Sequence, residues 1–331
     1  MIAGTRLKAW LADREAQHDS HQRASQAACR LKALPALSRL REQLDMPGGH
    51  SAQGALALAR AFIGTKGALD DLLQMLIANG REDPYFRPPV KLVRAEVHSA
   101  LVLVDHPNLT LSLAVMDADA IAAKRAGRTG GASLVFSGRQ SLFHFLKGGG
   151  ATLSFWEAPK IEPGFTGAAS GQCRFVESRT IREGDTLEID GRSRTFIVDT
   201  AAHDLVYLQA TTGLEKAPLT VEYDAGKRRF LGASSNDEAS SRIQLMLSLL
   251  RTMDRVDAVP LFEELLASEH FYARWQTMRE FLALDAEAAL PHLRSMAVAD
   301  PHPEVRQAAE SILARFFPEN PAVEEEALCP A

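Results

Sequence analysis

The chain has 331 residues, 46% of them hydrophobic and 24% charged, with a formal net charge of −5. At about 150 residues per domain this length predicts two domains, and the apolar fraction excludes a mostly disordered chain. No run approaches the roughly 18 apolar residues of a membrane-spanning helix, and the start, MIAGTRLKAWLADREAQ, carries acids early and lacks a signal-peptide core. A cytoplasmic protein without membrane contact is expected. Cys29, Cys173 and Cys329 are far apart and form no CxxC pair, which supports neither a zinc ribbon nor a disulfide framework.

Residues 1–88 read as an N-terminal helical region. Leu31, Leu34, Leu37, Leu40 and Leu44 recur at helical spacing and predict one apolar stripe, broken at Met46–Gly49. A second stripe, Leu69, Leu72, Leu73, Leu76 and Ile77, is predicted to stop at Asn79-Gly80. This region holds 12 Lys and Arg against 9 Asp and Glu. It shows no helix-turn-helix spacing, so nucleic acid is not an expected partner.

After the Pro-rich connector Glu82–Val90, residues 89–232 switch to strand-like periodicity. About eleven short runs follow, from KLVRAEVHSALVLVDHP to KRRFLGA, interrupted by one predicted helix at Asp117–Gly127. Gly148–Gly150, Asp190-Gly191 and Asp224–Gly226 read as turns, with Asp-Gly a strong hairpin signal. The pattern predicts an antiparallel barrel or sandwich, and an α+β fold overall. The loop Pro159–Gln172 is rich in small residues and reads as a lid over a barrel mouth.

Residues 233–318 return to helical texture and are acidic; with the tail at 319–331, which reads as solvated, they hold 8 Lys and Arg against 17 Asp and Glu. An internal repeat aligns Pro260 with Pro291 and Arg274 with Arg306. The second copy carries DPHPEVRQAAESIL, Asp300 to Leu313, which closely resembles the HEAT repeat. The resemblance implies stacked α-hairpins that contact a protein partner, with Arg274 and Arg306 tying neighbouring units together through carboxylates such as Asp300. The helix at 239–252 reads as half of an earlier unit. Tyr272 and Trp275 are aromatic candidates for partner contact.

The stretch Glu183–Ala210 resembles the second half of a cupin barrel. That resemblance implies an HxH-plus-Glu metal site and a later His, but no HxH occurs, and Arg192-Ser193-Arg194 stands near the expected later His. His98 and His106 are eight residues apart, about 26 Å along a straight strand, and could share a metal only if the strand bends or ends between them. His144 alternates with Leu142 and Leu146, Glu157 with Leu153 and Phe155, and His203 is in phase with Leu205 and Tyr207. His144, Glu157 and His203 are therefore the candidate ligands for Fe(II) or another divalent metal. Trp156, Tyr207 and Arg194 are candidate pocket residues. No GxSxG, HExxH, P-loop or EF-hand pattern is present.

Three functions follow. The leading expectation is a regulatory or protein-interaction protein, with a metal-free cupin-like barrel, no cofactor, and a protein partner or a homodimer. The alternatives are a metal-dependent cupin-type oxygenase or isomerase, and a small-ligand sensor.

Overall fold

A computed structural model describes residues 2–318 apart from 66, 68, 128, 129 and 163. The expected acidic tail and Cys329 lie outside the described residues. The chain divides into two compact units, residues 1–163 with 167–234, and residues 164–166 with 235–331.

The first unit opens with α1 (Ile2–Ala12), α2 (Arg14–Ala33), α3 (Pro35–Asp45), α4 (Ala52–Gly64) and α5 (Asp70–Glu82). The expected single stripe from Leu31 to Leu44 belongs to two helices. Pro35 opens α3, and a residue before proline is driven out of helical geometry, so Leu34 sits between them at φ −61°, ψ 117°. Leu31, Leu37, Leu40 and Leu44 still share one core. The predicted stop at Asn79-Gly80 is also corrected. The Asn79 side chain donates to the Met75 carbonyl at 2.8 Å, and the helix runs on to Glu82.

The strands are β1 (Lys91–Arg94), β2 (His98–His106), β3 (Leu109–Met116), β4 (Ser133–Phe136), β5 (Gln140–Lys147), β6 (Thr152–Glu157), β7 (Arg174–Thr180), β8 (Thr186–Asp190), β9 (Arg194–Thr200), β10 (Leu205–Thr212), β11 (Leu219–Asp224) and β12 (Arg229–Ser235). The predicted helix appears as α6 (Ala118–Ala126), capped by Asp117, whose carboxylate accepts the Ala120 N–H at 2.8 Å. The first predicted strand is two, β1 and β2, paired antiparallel around a tight turn in which Ala95 N–H donates to the His98 carbonyl at 2.8 Å.

The strands form a six-stranded sheet in the order β1-β2-β3-β10-β5-β8, and two three-stranded sheets, β12-β11-β4 and β7-β6-β9. Pairing of β2 with β3, β3 with β10, β10 with β5, β5 with β8, and β6 with both β7 and β9 is antiparallel. Asp190-Gly191 does not close a hairpin. It carries the chain from β8, in the large sheet, to β9, in the β7-β6-β9 sheet.

The large sheet is buried on both faces. One face packs Phe145, Leu187, Leu205 and Tyr207 against Leu153 and Phe155 of β6. The other packs Leu103, Leu111, Leu142 and Leu208 against the leucines of α3 and Leu56, Ala59 and Phe62 of α4. The resulting α+β architecture is an antiparallel sandwich with helices laid over one outer face.

The second unit contains α7 (Glu238–Thr252), α8 (Val259–Leu265), α9 (Phe271–Leu284), α10 (Ala286–Ala299) and α11 (Pro303–Phe316). Pro260 falls in the first turn of α8, where its missing N–H has no intrahelical partner to lose, whereas Pro291 lies inside α10. One core gathers Leu247, Phe262, Met278, Phe281, Leu293 and Val305 from all five helices. Among the described residues no helix is long and apolar enough to cross a membrane.

Candidate functional site

Of the residues singled out above, Trp156, Glu157 and Arg194 lie together at the outer end of β6 and its neighbour β9. Along β6, Leu153 and Phe155 turn into the sandwich core, and Glu157 shares their phase. Glu157 stands opposite Arg174 of β7 and Arg194 of β9 in the strand register. Its carboxylate accepts from Arg174. Arg194 donates from Nη2 to Glu177 at 3.1 Å and lies 5.2 Å from the centre of the Phe155 ring. The outer end of β6 therefore carries a quartet of two acids and two bases, mutually neutralised. Arg194 Nε and Trp156 Nε1 are buried there without a hydrogen-bond partner among the described residues.

Arg174 and Glu177 are absent from the expected site. β7 is exposed along almost its whole length and shows no alternation, so nothing in its sequence marks the residues that face β6.

At the other end of β6 lies an open groove of about 770 Å³. Gly148–Gly150, Arg182, Glu183, His203 and Asp119 line it. The Gly149 carbonyl accepts the N–H groups of Ala202 and His203 at 2.9 and 3.0 Å, which fastens the β5–β6 loop to the β9–β10 loop. Asp204 accepts the Ala118 N–H at 2.9 Å, satisfying a free donor at the start of α6. Lys147 and Glu183 form an ion pair at 3.0 Å across the rim. The groove carries mixed charge and is open to solvent.

The candidate metal ligands do not converge. His144 keeps its phase with Leu142 and Leu146, but that phase faces the helices rather than the sandwich interior. Its Nδ1 is 3.0 Å from Thr186 Oγ1. Glu157 is held by Arg174, and His203 is exposed in the loop before β10 rather than on the strand. Among the described residues, no group of three His, Cys, Asp or Glu is placed to hold a metal ion. The donor set does not fit iron or another divalent cation. His98 and His106 stand at opposite ends of β2, and His106 Nε2 is 3.0 Å from Asp45 Oδ1 of α3.

The pocket candidates also separate. Trp156 alternates with Phe155, so it takes the opposite face of β6 and stacks edge-on with Phe175 at 5.6 Å. Tyr207 is 3% exposed, in contact with the rings of Phe143 and Phe145 at 5.9 and 5.7 Å. Burial pushes its phenol up to about 12. With Phe155 and Phe196, whose rings are 5.9 Å apart, these side chains fill the inner face.

The loop at 159–172 does not have the character of a free lid. Ile161 and Ser170 are buried, Ile161 N–H donates to the Arg192 carbonyl at 2.9 Å, and the Tyr223 hydroxyl donates to the Ser170 carbonyl at 2.6 Å. Cys173 is buried, and burial pushes its thiol up, away from the thiolate a nucleophile requires.

In the second unit, Trp275 packs against the helical core, and Tyr272 stacks on His270 at 5.3 Å. Asp300 accepts from both Nε and Nη2 of Arg274 at 2.7 Å. Arg306 Nη1 donates to the Asp300 carbonyl at 2.6 Å. The two repeat arginines thus meet at one residue.

No protein-family model matches the chain, and no curated protein matches it. Among solved structures it is similar to ectoine synthase from P. lautus at 11% identity, covering 44% of this chain and 85% of that one, with a TM-score of 0.23. It is also similar to an RmlC-like cupin from Shewanella frigidimarina at 9% identity, covering 38% of this chain and 84% of that one, with a TM-score of 0.22. A third is the cupin domain of Schizosaccharomyces pombe Cnp3, at 9% identity, covering 37% of this chain and 63% of that one, with a TM-score of 0.23.

Proposed function

We propose that this protein is a non-catalytic interaction protein, in which a cupin-like sandwich is a scaffold and the HEAT-like helical unit meets a protein partner. The observation that carries the reading is the allocation of the candidate side chains. His144 faces the helices, Glu157 is neutralised by Arg174, and Tyr207 closes the inner face with four phenylalanine rings. Metal-dependent oxygenase or isomerase chemistry needs three of these donors on one centre with an open coordination position, an arrangement this set does not supply. A small-ligand sensor is the second reading, favoured by the open groove beside Gly148–Gly150.

Metal analysis of untagged protein, alongside a His144→Ala, His203→Ala variant, tests the main reading. The expected result is no metal at near-stoichiometric level that depends on either histidine. Near-stoichiometric iron, manganese, nickel or zinc that vanishes in the variant would overturn it.

A further inference from the structure

The two repeat arginines hold the same place in their hairpins but do not have the same partners. Arg274 is the fourth residue of α9 and Arg306 the fourth of α11, and a histidine, His270 or His302, precedes each helix. Each arginine turns Nη1 back to the connection before its own helix. Arg274 donates there to the Ser268 and Glu269 carbonyls, and Arg306 to the Asp300 carbonyl. That bond fixes the guanidinium and leaves Nε and Nη2 to act as a fork. The Arg274 fork is filled by the Asp300 carboxylate, which the next hairpin supplies. Nε and Nη2 of Arg306 meet no carboxylate among the described residues, and the last described helix ends at Phe316, with no further hairpin to supply one. The molecule therefore shows a filled and an open form of the same fork, and the filled form identifies the ligand as a carboxylate.

We infer that Arg306 holds the acidic stretch Glu324–Glu326 of this chain, so that the tail closes the open end of the helical unit. The stretch lies outside the described residues. Its distance along the chain permits the contact. Arg306 stands ten residues before the end of α11, about 15 Å back along the helix axis. Glu324 follows Phe316 by eight residues, an extended reach of about 26 Å. Pro318 cannot continue α11, and Asn320-Pro321 favours a turn, which the chain needs in order to run back along the helix. Net charge does not draw the tail there, because residues 235–318 hold 8 Lys and Arg against 13 Asp and Glu. The fork selects it, since a guanidinium binds a carboxylate through two parallel bonds. The terminal unit of a stacked array has one face without a neighbour and needs a polar cover, which a tail of this composition supplies. The inference adds to the proposed function and does not depend on it.

Exchange of the arginine Nε–H protons with solvent, followed by NMR in the full chain, tests it. Arg274 Nε–H, bonded to Asp300, serves as the internal standard. In a Glu324→Gln, Glu325→Gln, Glu326→Gln variant, which changes no residue of the helices, Arg306 Nε–H is expected to exchange about 10-fold faster than in the wild type, with Arg274 unchanged. Cleavage after Glu324–Glu326 by a glutamate-specific protease gives the reciprocal reading. Arg306→Met, with unchanged circular dichroism, is expected to be cut about 10-fold faster than the wild type. Arg294→Met, which removes an exposed positive charge of the same unit but not the fork, is expected to be cut at the wild-type rate. Equal Arg306 Nε–H exchange in the wild type and the triple glutamine variant overturns the inference. So does a tail cut equally fast in the wild type and Arg306→Met, or one sped as much by Arg294→Met, since net charge alone would then govern it. Each of those results leaves the non-catalytic reading standing, because metal content decides that separately.

Discussion

Arg274 and Asp300 form a bidentate ion pair, both N···O distances 2.7 Å, with side chains only 10% and 3% exposed. The pair joins the start of α9 to the turn between α10 and α11. Asp300 also accepts the His302 N–H at 2.8 Å, and Arg274 Nη1 donates to the Ser268 and Glu269 carbonyls at 2.9 and 3.0 Å. Two successive hairpins are thereby locked through one carboxylate whose bonds are all made within the protein.

Removing one member of a buried, fully bonded pair leaves the other charge uncompensated, which costs about 3–5 kcal/mol. Arg274→Met is expected to destabilise the helical unit by that amount. Trp275 lies in this unit, so denaturant unfolding followed by its fluorescence in a Trp10→Phe, Trp156→Phe background reports it. A loss below about 1 kcal/mol would show that the pair does not hold the hairpins.

The same carboxylate sets an acid limit. Burial alone would raise Asp300, but the Arg274 bonds, the His302 N–H and the Arg274 charge outweigh it and hold the carboxyl below its ordinary value. A group depressed in the folded state contributes fully above its unfolded value, near pH 4, and the contribution fades as pH falls through the folded value. The helical unit is expected to lose stability on acidification below about pH 4. Asp300→Asn is expected to be less stable at pH 7 and to show a shallower further loss between pH 4 and about pH 2. Parallel acid limbs for the two proteins would contradict this role for Asp300.

The limits of the sequence reading have a physical cause visible at β5. Alternation correctly groups Leu142, His144 and Leu146 on one face and Phe143 and Phe145 on the other. It cannot say which face is interior when helices cover the outside of the sheet, because both faces are then apolar. His144 shares the phase of Leu142 and Leu146, which pack with the helices, and not that of Phe143 and Phe145, which pack in the sandwich. Asp190-Gly191 is likewise a genuine turn, but a turn signal does not specify whether the next strand returns to the same sheet. The helix Asp117–Gly127 and the Arg274–Asp300 tie were legible because a cap and a repeat are local or periodic signals. The Glu157 quartet was not, because Arg174 and Arg194 reach it only through the order of strands in the sheet.

Tyr207 makes the sandwich sensitive to alkali. Its phenol is pushed from 10 up to about 12 by burial. The protonated form is the one the fold stabilises, so its contribution is complete below about pH 10 and is lost as pH rises toward 12, up to about 3 kcal/mol. Tyr207→Phe is expected to flatten the fall in stability between pH 9.5 and 11.5, within about 0.5 kcal/mol of level for this group's share, measured by guanidinium unfolding. Ionisation followed at 295 nm should lose its latest-titrating component in the same variant. A wild type and variant that weaken equally with alkali would show that water reaches the phenol.

Gly149 separates two demands that glycine meets at the groove. It has φ +58°, and a Cβ there would stand 2.2 Å from the His203 carbonyl oxygen and 3.0 Å from that of Asp204. Gly184 has φ +85° with nothing within 4 Å of a Cβ. Alanine at Gly184 therefore meets backbone strain alone, about 1 kcal/mol, partly offset by a less flexible unfolded chain. Alanine at Gly149 meets the same strain and must also push apart the two loops that its own carbonyl fastens, a further cost of about 1–3 kcal/mol. Gly149→Ala is expected to be the more destabilising by at least about 1 kcal/mol in urea unfolding, and to speed hydrogen exchange at the Ala202 and His203 amides. Equal effects at the two positions would mean that the β9–β10 loop yields freely, and the groove would then be a soft surface rather than a shaped one.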